Sequence, residues 1–443
     1  MRLRHALALL AFALLPLPLA AQSFNLRDLL PDFLRQGITL APPPAGFPSH
    51  ETHFIGANSP QFLAIETLNE SIAQQLSTFP LASSAGGFTY TFDPALGVFT
   101  RATDSFGPIY AERVDTIGKN RFNIGLNFSH YTFDHINDIS LQGGGLKAVF
   151  THIDINGDKS NLQPWFEGDV ITAEILLKIK TDITAFEMTY GLSDRFDVAV
   201  AVPVVKVSLD AQTNATIDRL ATATNAPAIH RFQNGGDSET FNESGDASGV
   251  GDIVLRAKFR LTQSSSLGVA LATDVRLPTG DDANLLGTGT TQVKIYAIGS
   301  GHFGIFSPHL NGGYSFSDHR SGKPRLPDEI DYAAGFDLAA SPRFTFIVDA
   351  VGRYYRDTQI VEVQDATFVA NTNPNPKAPP VLTSAVLPRL ITHEGNLHTV
   401  LGSVGFKINP VGNLLLTVNG LFPLNKNGLR DDFTPLVGLD YSF

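Results

Sequence analysis

The sequence has 443 residues, of which 17% are charged, with 39 Gly, 32 Phe and no Cys. Without Cys, the chain can form neither a disulfide framework nor a thiolate metal site. After residue 21, no apolar run reaches the roughly 18 residues that a membrane-spanning helix needs. Beyond that point there are 30 basic and 43 acidic residues, a net charge of −13, which argues against nucleic acid as a partner.

The first 21 residues predict a secretory signal peptide. Arg2 and Arg4 form its charged start, residues 6–19 its apolar middle, and Ala20 and Ala21 the small residues before cleavage. We therefore expect an exported protein and exclude residues 1–21 from the fold.

Residues 22–118 differ in character from the rest of the chain. Residues 25–36 and 60–79 show apolar spacings of three and four residues, which predict two short helices. Residues 87–103 predict a small hairpin around a turn at 94–96. Because apolar faces this short must be buried against something, we expect the segment to form a plug. A periplasmic segment is the alternative.

From residue 119 to residue 443, long strands with alternating apolar and polar residues follow one another. In a bilayer, strand backbone groups can all be hydrogen-bonded only if the sheet closes on itself. We therefore predict an all-β fold, an antiparallel transmembrane β-barrel with its apolar residues facing lipid. Nine charged residues are then expected to line the lumen: Asp252, Arg256, Lys258, Arg260, Asp274, Arg276, Asp349, Arg353 and Lys407.

These nine charges have two interpretations. Arg256, Lys258 and Arg260 lie near Asp274 and Arg276 of the presumed neighbouring strand, where opposite charges can pair. In the first interpretation, the wall is wet and its charges pair with one another or with plug residues. In the second, the charges form a polar rim that guides a solute.

The last ten residues predict the strand that closes the barrel. Val437, Leu439, Tyr441 and Phe443 alternate with small or polar residues, so one face of the strand is apolar. Such a strand needs a partner edge, and the last strand of a soluble β-sandwich is the alternative. In an outer membrane we expect the barrel-assembly machinery to contact this strand.

The predicted connections alternate in length, as in outer-membrane barrels with short periplasmic turns and long outer loops. The longest predicted outer loops are residues 210–248 and 357–396. Residues 134–190 contain either one loop and one overlong strand, which gives 12 strands, or a further hairpin, which gives 14. The apolar face switches between Ile183 and Phe186, which suits a bulge or a turn. We favour 12 strands.

No catalytic, cofactor or metal site is predicted, and we expect no enzymatic activity. Asp154, Asn156 and Asp158 have the spacing of a calcium loop, but Lys159 and Trp165 stand where that loop needs Gly and Glu. We interpret this stretch as an ordinary polar loop.

Three stretches resemble a known family. Residues 190–204 (YGLSDRFDVAVAVPV), 249–261 (GVGDIVLRAKFRL) and 277–289 (LPTGDDANLLGTG) look like the outer-membrane transporter family named for the meta-pathway of phenol degradation, which is grouped with the long-chain fatty acid channels. The resemblance covers about residues 119–443. It implies a barrel that passes small hydrophobic, including aromatic, compounds across the outer membrane of a Gram-negative bacterium. It also favours an N-terminal plug, because fatty acid channels carry one.

We thus expect a channel for passive uptake of small hydrophobic compounds. The compounds would first be captured in the long outer loops. Its expected partners are outer-membrane lipid, lipopolysaccharide and the solute itself. A non-transporting structural or surface-interaction barrel and a general hydrophilic porin are the alternatives.

Overall fold

A computed structural model describes residues 25–47, 54, 60–78, 80, 82–83, 87–93, 98–101, 103–158, 160–221, 229–264, 266–318 and 326–443. The predicted signal peptide and the turn at 94–96 lie outside the described residues. Three short helical segments follow one another, Leu26–Asp28, Leu29–Asp32 and Phe33–Gly37, and helix α1 spans Pro60–Ser77. None of the helices in these ranges is both long and apolar enough to cross a membrane.

The strands are β1 (Tyr90–Asp93), β2 (Val98–Arg101), β3 (Phe122–Phe133), β4 (His135–Ile136), β5 (Ile139–Ser140), β6 (Leu146–Thr151), β7 (Val170–Ser193), β8 (Phe196–Asp218), β9 (Ser238–Val250), β10 (Val254–Gln263), β11 (Leu267–Arg276), β12 (Gln292–Gly301), β13 (Phe306–Ser317), β14 (Glu329–Ser341), β15 (Phe344–Asn371), β16 (Leu382–Ile408), β17 (Leu414–Pro423), β18 (Leu429–Arg430) and β19 (Thr434–Ser442). Short 3-10 turns occur at Trp165–Gly168 and Asp282–Asn284.

Within the described residues, twelve strands form one closed antiparallel barrel: β3, β7, β8, β10 to β17, and β19. The pairings of β7 with β8 and of β19 with β3 close the circle, with Leu439 opposite Leu126. On β19, Val437, Leu439 and Tyr441 point outward and are exposed, as is the terminal Phe443. The predicted 12-strand barrel is confirmed. The 14-strand alternative is wrong, because residues 170–193 form one uninterrupted strand.

Four strands are far longer than a membrane crossing requires. β7, β8, β15 and β16 have 24, 23, 28 and 27 residues, whereas about 9 to 11 suffice to cross. The prediction of long loops is therefore wrong for about half of residues 210–248 and for most of residues 357–396, which are paired strands. β6 and β9 add to these strands by pairing with the outer halves of β7 and β8.

This region is called the outer extension: β6, β9 and residues 170–183, 204–218, 358–371 and 382–395. The remaining parts of the twelve strands are called the membrane band. Between the two, β7 pairs with β8 in unbroken register from Val170 to Gly191. The switch of the apolar face near Ile183 is therefore neither a bulge nor a turn.

The switch marks a change of surroundings. In the membrane band Phe186 and Met188 of β7 face lipid, whereas in the outer extension Ile175 and Leu177, on the opposite face, point inward and are buried. The outward side meets hydrocarbon in one region and water in the other, so the apolar residues move to the other face of the same strand.

The N-terminal helices lie inside the outer extension. Leu29, Leu34, Ile65 and Leu68 are buried in one apolar cluster with inward residues of β7 and β8 such as Ile175 and Val207. α1 contacts β15, β16 and β6. This cluster is the main hydrophobic core of the molecule.

Candidate functional site: the contact between the N-terminal segment and the barrel wall

Residues 103–118 run across the inner wall of the membrane band, where wall side chains bond to their backbone. Asp349 Oδ2 accepts hydrogen bonds from Ile109 N at 3.1 Å and Tyr110 N at 3.0 Å. Asn311 holds both polar groups of the Glu112 peptide: Oδ1 accepts from its N at 2.6 Å and Nδ2 donates to its O at 2.8 Å. Farther along, Ser300 Oγ accepts from Val114 N at 2.9 Å. An extended segment has free N–H and C=O groups, and this wall satisfies them.

The Glu112 side chain is the centre of a buried charge network. It accepts hydrogen bonds from Arg256 Nη1 and, at 3.3 Å, from Lys258 Nζ. Arg256 also binds Asp274 on the neighbouring strand in a two-pronged contact, with both N–O distances 2.7 Å. Lys258, only 1% exposed, donates in addition to the carbonyls of Arg113 and Asp115. Both kinds of pairing named in the first interpretation occur here, pairing within the wall and pairing with the N-terminal segment.

Lys407 fastens the start of the same segment. Its Nζ donates to Pro108 O at 2.7 Å and to Phe106 O at 3.4 Å. Beside it on the wall, Asp349 accepts from His309 Nε2 at 2.6 Å, which orients the carboxylate that binds the segment.

Two arginines hold the end of helix α1. Arg276 Nη1 donates to Ser77 O at 3.2 Å, and Arg353 Nη1 donates to Thr78 O. The last carbonyls of a helix have no partner within the helix and carry partial negative charge, so cations stabilise them. The barrel wall supplies the C-terminal cap of α1.

The other two predicted lumen residues contact connections of the barrel. Asp252 accepts from Gly280 N, Thr288 N and Thr288 Oγ1 at 3.0, 2.8 and 2.7 Å, and so ties down the connection after β11. Arg260 bonds to Asp194 O in the short turn after β7 and to Gln263. Sequence reasoning did not identify Glu112, Asn311 or Ser300. Glu112 lies in residues 103–118, which have no periodic pattern, and Asn311 and Ser300 are uncharged, whereas only charged residues were predicted to line the lumen.

A cavity of about 100 Å³ remains between the N-terminal segment and the wall. Its lining includes Arg256, Arg276, Lys294, Glu329 and Arg353. A second cavity, of about 280 Å³, lies nearer the outside, between the polar face of α1 at Thr67 and Ser71 and the wall at Arg356 and Thr358. Polar space thus remains on the side of α1 that faces β14 and β15.

Two buried acids organise the outer end of the molecule. Asp169 accepts from Ala221 N and His230 Nδ1, both at 3.0 Å. Glu167 accepts from Ile155 N at 2.8 Å. Burial raises the pKa of Glu167 to about 7, partly opposed by the bond from Ile155 and reinforced by the carboxylates of Asp154 and Asp158. In the part of the chain that the structure describes, no group of three or more His, Asp or Glu residues could hold a metal ion.

Residues 167–373 match the model of the family described as "MetA-pathway of phenol degradation". All three stretches that carry the predicted resemblance lie in this range, and the resemblance is confirmed. No curated protein sequence matches the chain.

Solved structures that match the chain include an outer-membrane channel from Pseudomonas putida F1, with 13% identity, a TM-score of 0.42, and coverage of 74% of this chain and 98% of the channel. A FadL homologue from Pseudomonas aeruginosa has 10% identity, a TM-score of 0.32, and coverage of 83% and 98%. The toluene transporter TbuX of Ralstonia pickettii has 10% identity, a TM-score of 0.27, and coverage of 74% and 90%.

The closed barrel presents lipid with an apolar band, in which Leu255, Leu271 and Ile295 are among the exposed residues. Bacterial barrels of this construction reside in the outer membrane. The chain is a β-barrel of the Gram-negative outer membrane.

Proposed function

We propose that this outer-membrane β-barrel is a passive uptake channel for small hydrophobic compounds, including aromatic ones, and that residues 22–118 are its plug. The observation that carries the proposal is the occupied lumen: residues 103–118 and the end of α1 are held by wall side chains through hydrogen bonds. Each such bond contributes only about 0.5–3 kcal/mol net, so the set can be exchanged step by step for bonds to water. The solute class follows from the family match.

The two regions of the lumen have different tasks in this proposal. The outer extension offers apolar inward residues, such as Ile175, Leu177 and Val207, as a surface for a hydrophobic solute once the helices shift. The membrane band offers polar groups and is closed by the segment. Capture therefore takes place in the outer extension, and the bonds around Glu112 and Asp349 control passage.

The first test uses the absence of Cys in the chain. Introduced cysteines at Val114 and Ser300, whose N and Oγ atoms are 2.9 Å apart, are intended to lock the segment to the wall under oxidising conditions. Toluene entry into vesicles containing the locked protein should stop and should return on reduction. Toluene entry that is equal in the oxidised and reduced states contradicts the plug, provided that gel analysis shows the crosslink.

The second test compares the conductance of the mature chain with that of a variant lacking residues 22–118 in planar bilayers. We expect a closed mature channel and an open truncated one. The polar membrane band favours a hydrophilic porin as the second candidate function, and a steadily open mature channel that also admits sugars would support it. If both forms are closed and toluene does not enter, a structural role replaces transport.

A further inference from the structure

One of the basic side chains that line the inner cavity of about 100 Å³ is bonded to a neutral carbonyl instead of a carboxylate. Four basic side chains line the cavity. Arg256 is paired with Asp274 and Glu112, and both Lys294 and Arg353 are paired with Asp331. Arg276 has no carboxylate within 4.0 Å among the described residues. Its one hydrogen bond there is to the neutral carbonyl of Ser77 at 3.2 Å.

A guanidinium has five N–H donors in a fixed plane, so Arg276 has donors left for a ligand in the cavity that it lines. Glu329 also lines the cavity, has no basic nitrogen within 4.0 Å among the described residues, and accepts a hydrogen bond at Oε1 from Gln292 Nε2 at 3.0 Å. Gln292 lies directly opposite Arg276 in the pairing of β11 with β12, so the amide stands next to the arginine. The cavity is several times larger than one water requires.

From this arrangement we infer that Arg276 binds the carboxylate of a small organic acid, and that this binding releases the end of α1. The inference rests on the proposed function and names its substrate class: small hydrophobic compounds that carry a carboxylate, with an aromatic acid as the fitting example. Carboxylates match the guanidinium plane in a two-pronged contact.

The release follows from competition for the same guanidinium. A carboxylate carries a full negative charge, whereas the carbonyl of Ser77 carries only a partial one, so the carboxylate attracts the guanidinium more strongly. A carboxylate that binds two of the remaining donors sets the orientation of the rigid guanidinium plane, which weakens the 3.2 Å bond to Ser77 O, so α1 loses one of the two arginines at its C-terminus. The second, Arg353, stays with Asp331 and Thr78 O. The solute thus weakens the plug at the point where the plug blocks its path.

The test compares benzoate with benzyl alcohol, which has a similar ring and no charge. Binding to the full mature chain in detergent is measured by calorimetry, and open probability in planar bilayers is measured with either compound. We expect benzoate to bind about tenfold or more tightly than benzyl alcohol, because a charged hydrogen-bond pair is gained. Benzoate should also raise the open probability, and benzyl alcohol should not. Equal binding and equal gating by the two compounds overturn the inference.

Variants locate the site. Arg276→Gln should reduce benzoate affinity about tenfold or more and abolish the difference between the two compounds, whereas Arg276→Lys should retain part of it. Arg260→Gln is the matched control, because this arginine bonds to a turn outside the cavity and should leave benzoate affinity unchanged. Undiminished benzoate binding by Arg276→Gln overturns the assignment.

The outcome separates the two proposals. If toluene enters through the reduced double-cysteine protein but benzoate has no preference for Arg276, the channel stands and the carboxylate site falls. If benzoate binds Arg276 but neither toluene nor benzoate crosses, the site stands and transport falls.

Discussion

The outer extension and the membrane band use the same strands with opposite faces. On β8, Val198 and Val200 point outward to lipid in the membrane band, while Val207 and Leu209 point inward to the helices in the outer extension. The pairing with β7 is continuous between these regions. The interior is apolar and packed with helices in one region, and polar and crossed by an extended segment in the other.

The position of the apolar face on a strand therefore depends on the surroundings of the strand and not on its register. In water, burial requires the apolar residues to point inward, whereas in lipid the interior must hold the polar groups. The same difference in surroundings explains the two kinds of contact that the N-terminal segment makes. Helices bury side chains against an apolar wall and satisfy most of their backbone groups internally, so the two wall arginines bond only to the end of α1. An extended segment needs a polar wall along its backbone.

The largest expected effect is loss of packing in the outer extension. Leu68 of α1 is fully buried, and Leu68→Ala should reduce the free energy of unfolding by about 2–5 kcal/mol, because it leaves a cavity. Unfolding by urea of the protein in lipid vesicles measures this. Leu63→Ala on the same helix is the control and should cost about 0.5 kcal/mol or less, since Leu63 is 51% exposed. Equal losses would mean that α1 is not packed in the core.

The next effect distinguishes the two outer surfaces. Leu271 of β11 faces lipid and is 45% exposed, so Leu271→Arg should cost about 2–4 kcal/mol near the bilayer centre. Gln212→Arg on the outward face of the outer extension should cost almost nothing, because the arginine stays in water. The same vesicle-based unfolding measures both. A similar cost at both positions would contradict the boundary between the two regions.

A smaller effect is expected at the segment in the membrane band. Glu112→Gln removes the negative partner of Lys258 and one partner of Arg256, and should cost about 1.5–3 kcal/mol, since bonds to charged groups are lost. The open probability of the mature channel in planar bilayers should rise. Asp104→Asn, at an exposed position of the same segment, is the control. An unchanged open probability in Glu112→Gln would exclude Glu112 from closing the channel.

The smallest effect is a pH dependence confined to the outer end. The pKa of Glu167 is about 7, raised from 4.5, so its contribution to stability is full below about pH 4.5 and is lost as pH rises through about 7. The single Trp, Trp165, lies two residues away, so its fluorescence reports local unfolding. Glu167→Gln should flatten the dependence of the Trp165 fluorescence on pH between these values. Glu243→Gln, at an exposed position, should leave that dependence unchanged.

For many residues of the candidate site, the face of the strand could be predicted from the sequence, but the contacts that they make could not. Alternation places Arg256, Lys258 and Asp349 on the polar face of their strands, and the structure places them on the inner wall. Their partners in residues 103–118 could not be predicted, because an extended segment bound by its backbone leaves no side-chain periodicity. The bond between Arg276 and the end of α1 could not be predicted either, because Ser77 is 199 positions away and meets Arg276 only in the folded barrel.

Alternation with period two is a local property, so the sequence was enough to predict a closed barrel, its terminal strand and its family resemblance, and it favoured 12 strands over 14. Only the tertiary structure decided how far the strands extend beyond the membrane. Residues 210–218 and 358–371 extend as strands because the neighbouring strands β9 and β16 pair with their backbones. The tertiary structure also decided that the lumen is occupied, since contacts between residues 103–118 and a wall up to about 300 positions away depend on the closed barrel.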